Sequence, residues 1–141
     1  MNFQSIGNNV QKTFSSEDFK AWVAQCTEQF TITTICSQET RYEREQALCE
    51  LEKLFKHYHE HEQVELVNVA HFSINEQRKV YVTTVHFTEK GERRQHLWLN
   101  NLVKKNDVWL FDSSMVYVEV DAALLKKFRF NTSILYQQKF D

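Results

Sequence analysis

The sequence contains no proline and only two glycines among its 141 residues. Both residue types mark long loops and interdomain linkers, and both are far below their usual share here. We therefore predict one domain over residues 1–141, large enough to bury a core of its own. Residues 1–13 are polar with scattered apolar side chains, and we expect them to form a flexible or docked arm.

Long apolar runs and paired cysteines are missing as well. No stretch of about 18 apolar residues is present to span a bilayer, and polar residues interrupt any apolar run near the start where a signal peptide would lie. The three cysteines, Cys26, Cys36 and Cys49, are odd in number and lack paired spacing. These features predict a soluble protein of the reducing cytoplasm, without a membrane partner.

The chain also lacks an excess of either charge, since 17 lysines and arginines face 19 aspartates and glutamates. Proteins that bind nucleic acid or anionic membranes usually carry a strong basic patch. This balance gives no electrostatic reason to expect such a partner. We therefore predict no nucleic-acid binding.

Four runs rich in β-branched and aromatic residues fill the second half of the chain, and short polar segments separate them. Such runs predict strands, and such segments predict hairpin loops. If Lys90 and Gly91 form a two-residue turn, Val85 faces His96 and Thr83 faces Trp98. The predicted meander consists of Val64–Ile74, Lys79–Thr88, Arg94–Lys104 and Val108–Val120.

Both faces of this predicted meander are apolar, whereas an antiparallel sheet with one wet face should alternate apolar and polar residues. We therefore expect the protein's own helices to cover one face and a neighbouring subunit to cover the other. The first face carries Tyr81, Val85, Phe87, Trp98 and Leu102, and the second carries Val80, Val82, Leu97, Leu99 and Val103.

Helices precede the meander. Ser15 is a candidate N-cap for a first helix with Phe19 and Trp22 on its apolar face. A short strand is predicted over residues 30–36, and a second helix from residue 37 or 38 to about Glu60. Helices placed ahead of an antiparallel sheet predict an α+β fold with the helices packed on one face of the sheet.

This order resembles a known fold. A helix with Phe19-x-x-Trp22, a strand starting Phe30-Thr31-Ile32-Thr33, a helix, and a meander with Trp109 after its last hairpin are similar to the cone of nuclear-transport-factor-two-like (cystatin-like) proteins. Within that superfamily the chain resembles the small (β) subunit of ring-hydroxylating dioxygenases, and the similarity extends through Asp121 and Leu124-Leu125 to the apolar run 131–135.

The resemblance implies a structural, non-catalytic subunit without a cofactor of its own. It implies self-association as a dimer or trimer and a Rieske-type large subunit as partner. A Rieske centre needs two cysteines and two histidines, each cysteine closely followed by a histidine, and none of the three cysteines here has a histidine within three residues. The chain by itself is therefore not expected to hold that redox centre.

The alternative is a free-standing protein whose pocket binds a small apolar molecule and isomerises, dehydrates or cyclises it, as polyketide-cyclase-like proteins do. Asp112 lies in the middle of a strand, where a buried carboxylate would have a raised pKa suited to proton transfer. His71, His86 and His96 are candidate acids or bases, although the predicted register puts His86 and His96 on opposite faces. The candidate ligand-binding residues are Tyr42, Trp98 and Asp112.

Plainer interpretations remain open for each of these residues. A strand histidine is more often a hydrogen-bonded core residue, Asp112 more often pairs with a lysine or arginine, and a filled interior would indicate an interaction module without a ligand. His57 and His61 share a helix face as two metal ligands would. No third ligand of fixed spacing is visible, so we predict a solvated helix end there and no metal.

Overall fold

The computed structural model describes residues 3–118, Val120 and Leu124, with side chains from Asn8 onward. Within these residues the helices are α1 (Phe3–Ser15), α2 (Phe19–Val23) and α3 (Arg44–His59), and the strands are β1 (Cys26–Ile35), β2 (Glu39–Glu43), β3 (Glu62–Asn75), β4 (Arg78–Glu89), β5 (Glu92–Lys105) and β6 (Val108–Tyr117). The strands form one sheet in the order β2-β1-β6-β5-β4-β3. Only the β1–β6 pair among them is parallel. The predicted α+β class is confirmed.

The four-stranded meander has the predicted hairpins and register. Val85 pairs with His96 and Thr83 with Trp98. The register follows from the turn, because Lys90 and Gly91 both have positive φ, at 50° and 78°, as a type I′ hairpin turn requires. In the next hairpin, between β5 and β6, Asn106 and Asp107 also have positive φ, a conformation that short polar side chains tolerate.

The inner face of the sheet packs against the three helices and forms the main core. Trp22 of α2 stacks on Phe111 of β6, with ring centroids 5.7 Å apart, and Phe14 of α1 meets Phe55 of α3 edge to face at 5.7 Å. The residues predicted to share this face are all buried there, namely Tyr81, Val85, Phe87, Trp98 and Leu102. Helices from three parts of the chain therefore converge on one side of the sheet.

The outer face is covered in part by the chain itself. Val82 and Leu97 are fully buried there, and Val120 and Leu124 pack against them. We expected a neighbouring subunit to cover this face. At its centre, Val120 and Leu124 of the same chain contribute to the cover instead. Its margin is more exposed: Phe72 and Ile74 on β3 keep 50% and 61% of their surface accessible.

The first third of the chain differs from the prediction. Ser15 is the last residue of α1, and the cap of the next helix is Asp18, whose carboxylate accepts a hydrogen bond from the Ala21 amide at 3.1 Å. β1 begins at Cys26 rather than at residue 30, and β2 occupies the predicted start of the second helix. Pairing of β2 with β1 outweighs local helix propensity there. The tail residues of the predicted resemblance, Asp121, Leu125 and 131–135, lie outside the described residues.

No helix in the described part of the chain is long and apolar enough to cross a bilayer.

Candidate functional site

The space between the helices and the inner face of the sheet is nearly filled. The cavity enclosed beneath α1 has a volume of about 10 Å³, while a wider, open cleft of about 750 Å³ lies to one side, between α2, β1 and the start of α3. A single water needs roughly as much room as the enclosed cavity has, so no organic ligand fits there. The residues that surround the enclosed cavity are mostly apolar or aromatic: Val10, Phe14, Trp22, Leu51, Phe55, Tyr58, Leu66, Thr83, Val85, Trp98, Asn100 and Phe111.

Helix α1 closes this interior. Val10 and Phe14 are one helical turn apart and only 1% and 3% exposed. Phe14 contacts the rings of Trp22, Phe55 and Tyr58, with centroid separations of 6.0, 5.7 and 6.1 Å. The sequence signal was present in the four-residue spacing of these two apolar residues, but the polar residues around them led to the prediction of an arm.

The polar groups of the cavity wall are satisfied by one another. Asn100 Nδ2 donates to the Tyr81 carbonyl oxygen at 2.9 Å, and the Ser114 hydroxyl donates to Asn100 Oδ1 at 2.8 Å. Asn100 Nδ2 also lies 3.3 Å from Thr83 Oγ1. The Asn100 amide is therefore engaged within the fold, and sequence reasoning did not identify it because its partners come from neighbouring strands.

A second buried network of hydrogen bonds joins α3 to β5. Trp98 Nε1 donates to the Tyr58 hydroxyl oxygen at 3.0 Å, and that oxygen lies 2.7 Å from His96 Nδ1. An indole nitrogen can only donate, so the Tyr58 hydroxyl hydrogen is free to go to His96 Nδ1. Burial, with a smaller contribution from the neighbouring His57, lowers the pKa of His96 to about 4, so His96 is neutral at pH 7 and accepts this hydrogen. Burial also raises the pKa of Tyr58 far above its ordinary value.

Replacing Tyr58 by Phe should lower the free energy of unfolding by about 2 kcal/mol. The change leaves Trp98 Nε1 and His96 Nδ1 buried without their shared partner, and an unsatisfied buried polar group costs about 1–3 kcal/mol. Urea denaturation measures this difference. The half-buried Tyr42 offers a matched control, and Tyr42→Phe should stay within about 0.5 kcal/mol of the wild type. Equal effects of the two substitutions would contradict a stabilising role for this buried hydrogen-bond network.

Asp112 does not line the interior. It lies at a bulge, because Leu102 pairs with Phe111 while Asn101 pairs with Ser113. Its carboxylate accepts a hydrogen bond from the Thr27 hydroxyl at 3.0 Å and lies 3.7 Å from Arg78 Nη1. These partners are those of a structural carboxylate at the sheet surface.

The three strand histidines occupy three separate places. His86 is fully buried on the outer face, with Nε2 2.9 Å from the Thr84 hydroxyl and Nδ1 3.9 Å from Glu65. His96 lies on the inner face, as the predicted register requires, and His71 is exposed on β3. The structure therefore does not bring Asp112 and a histidine together in one cavity.

Of the predicted ligand-binding residues, Trp98 lines the small cavity. Tyr42 packs against the main core from β2 and does not reach the cavity.

Comparison with known proteins identifies the fold. No protein-family model and no curated protein sequence matches the chain. Among solved structures, an NTF-2 like protein of unknown function from Shewanella oneidensis MR-1 superposes with a TM-score of 0.62 at 10% identity, over 83% of this chain and 99% of that one. A ketosteroid isomerase-like protein from Erwinia carotovora atroseptica SCRI1043 superposes with a TM-score of 0.60 at 12% identity, over 84% of this chain and 94% of that one.

A domain of unknown function with a cystatin-like fold from Nostoc punctiforme PCC 73102 gives a TM-score of 0.61 at 12% identity, over 96% of this chain and 88% of that one. Identities this low show the fold alone. The chain has the nuclear-transport-factor-two-like, or cystatin-like, fold that its sequence resembles.

Proposed function

We propose that this chain, with its nuclear-transport-factor-two-like fold, is a non-catalytic structural subunit that acts through its surface and self-associates. The observation that carries the proposal is the close packing between the helices and the middle of the sheet, where the enclosed cavity of about 10 Å³ is too small for an organic ligand. Among the described residues that line the cavity, Tyr58 alone has a titrating side chain, and its hydroxyl already has two partners. General acid–base catalysis needs a group within reach of a bound substrate, and this lining offers none.

The role matches what the resemblance to ring-hydroxylating dioxygenase β subunits implies. Those subunits support a catalytic partner and do not perform the reaction. For this chain a Rieske-type large subunit stays a prediction of that resemblance. The filled interior supports the non-catalytic part of the role, because a supporting subunit gains stability from a solid core and needs no pocket.

Self-association through the outer margin of β3 is supported by its exposed apolar residues. Phe72 lies beside Val80 in the sheet and is 50% exposed, and Ile74 is 61% exposed. β3 is an edge strand of the sheet. Exposed apolar side chains on an edge strand favour contact with another protein surface, and a second copy of this chain presents the same patch, as a two-fold contact requires.

The purified chain is therefore expected to have a molar mass at least twice the 16.9 kDa of the monomer in light scattering after size-exclusion chromatography. The double substitution Phe72→Glu and Ile74→Glu should reduce the mass to that of the monomer. Two carboxylates brought into an apolar contact would each lose hydration without gaining a partner. Both side chains are exposed in the single chain, so the variant should remain folded and lose only the stability that the assembly itself contributes.

Thr40→Glu supplies the matched control, because Thr40 is an exposed β-branched residue on β2, the edge strand at the opposite side of the sheet. This variant should keep the mass of the wild type. A monomeric wild type at the highest concentration tested, or an unchanged mass of the double variant, would overturn this assembly.

A further inference from the structure

The end of α3 and the end of β4 bring three metal-ligating side chains together. One ring nitrogen of His57, one of His61 and one carboxylate oxygen of Glu89 all lie within 4.8 Å of one another. We propose that these three side chains bind a divalent cation of the zinc class. The proposal is independent of the assembly role, because it concerns the opposite end of β4 from the β3–β4 hairpin that carries Ile74.

The hydrogen bonding of His61 prepares one ligand. His61 Nδ1 lies 2.6 Å from the carbonyl oxygen of His57, and a carbonyl oxygen only accepts, so Nδ1 carries the hydrogen. In the neutral ring Nε2 then presents a lone pair. A backbone carbonyl that binds the other ring nitrogen is the usual support of a metal-ligating histidine, because it fixes both tautomer and ring orientation.

That lone pair faces a carboxylate. His61 Nε2 lies 3.1 Å from Glu89 Oε2, and both atoms are acceptors when the ring is neutral. Two acceptors at this distance need a cation between them, which is either a proton on His61 or a metal ion. The site thus offers an ion two ligands that are already in place.

The spacing suits a tetrahedral ion. Zinc bonds of about 2.0–2.2 Å to nitrogen and oxygen put neighbouring ligand atoms about 3.3–3.5 Å apart, close to the 3.1 Å between His61 and Glu89. One ring nitrogen of His57 lies within 4.8 Å of a ligand atom of each of the other two residues, so His57 can supply the third ligand. Two histidines and one carboxylate leave the fourth position to water, the ligand set of open zinc sites.

The supporting elements are fixed relative to one another. Arg93 Nη1 donates to the Gln63 carbonyl oxygen at 2.6 Å, and the Thr88 hydroxyl donates to Gln63 Oε1 at 2.9 Å, which ties the β4–β5 hairpin to the chain just after His61. The His57 ring packs edge to face on Phe87 with centroids 5.4 Å apart. The His61 and Glu89 side chains are 20% and 33% exposed, so an ion can enter from solvent.

Titration of the tag-free full chain with Zn²⁺ in a calorimeter tests the site. The exposed Cys36 and Cys49 compete for zinc, so Cys36→Ser and Cys49→Ser are introduced together in every protein compared. We expect one ion per chain. We also expect Zn²⁺ at about a hundredfold excess over Kd to raise the Tm by roughly 5–10 °C, and EDTA to reverse the rise.

Glu89→Gln and His61→Ala should each weaken zinc binding by at least about 100-fold, because removal of a ligand costs more than removal of the outer-shell partner of a ligand. The controls are Glu92→Gln, an exposed carboxylate on the same hairpin, and His71→Ala, an exposed histidine on β3; both should bind within about twofold of the parent. Unfolding midpoints in EDTA verify that all variants are folded. Absence of zinc binding, or equal binding by Glu89→Gln and Glu92→Gln, overturns the proposal and leaves an imidazolium–carboxylate ion pair between His61 and Glu89.

Discussion

The substitution Phe14→Ala is expected to lower the free energy of unfolding by about 3–5 kcal/mol, as is typical when a buried phenylalanine is truncated. Phe14 is 3% exposed and touches aromatic rings from α2 and α3, so its removal leaves a void beside the existing cavity of about 10 Å³. Urea denaturation measures the loss. Val108→Ala is the control, because Val108 is 48% exposed and its truncation should cost less than about 0.5 kcal/mol.

The same variant tests whether the interior is closed to ligands. An apolar void of this kind binds small molecules such as benzene or xenon. Benzene should therefore raise the Tm of Phe14→Ala, because it binds the folded state alone, and should leave the Tm of the wild type unchanged. A similar rise in the wild type would mean that α1 does not close the interior, and the proposed non-catalytic role would lose its main support.

The second large effect is a loss of stability in acid. The pKa of His96 is lowered to about 4 by burial, with a further contribution from His57, whereas the unfolded chain titrates near the ordinary value of 6.5. Between these values the unfolded state binds a proton that the folded state does not, so stability is full above about pH 6.5 and falls as the pH drops towards 4. Lowering the pH through this whole window reduces the free energy of unfolding by about 3 kcal/mol.

Urea denaturation at several pH values between 7 and 4, with EDTA in all buffers, measures this loss. In His96→Gln the position no longer titrates, so stability should fall less steeply over the same range. Some slope will remain, because burial also lowers the pKa of His59, although the nearby Glu17 carboxylate opposes that shift. His71→Gln removes an exposed histidine instead and serves as the comparison for loss of a histidine elsewhere in the chain. Identical slopes in all three proteins would contradict a buried neutral His96.

The meander was predictable because its signals are local. Alternating residues and a turn at Lys90 and Gly91 fix which side chains share a face, and the structure has the predicted register there. The first third was less predictable. β2 exists through its pairing with β1, and α1 is held by packing of Val10 and Phe14 against other helices and strands, so neither is encoded by nearby residues alone.

The candidate sites show the same division. Asp112 was a reasonable pocket residue on a regular strand, but the bulge beside it leaves its carboxylate with Thr27 and Arg78, and no local pattern announces that bulge. The helical spacing of His57 and His61 was visible in the sequence. Glu89, the third side chain of that cluster, comes from another element and is brought there by the fold.

The sequence by itself determined an α+β chain with a four-stranded meander and two apolar sheet faces, because side-chain periodicity and turn residues act over short distances. Only the tertiary structure decided that the cone is filled, that the described candidate acids and bases lie apart, and that two histidines meet a carboxylate. These outcomes depend on which distant segments pack together. Because the interior is closely packed, they also depend on single buried side chains such as Phe14.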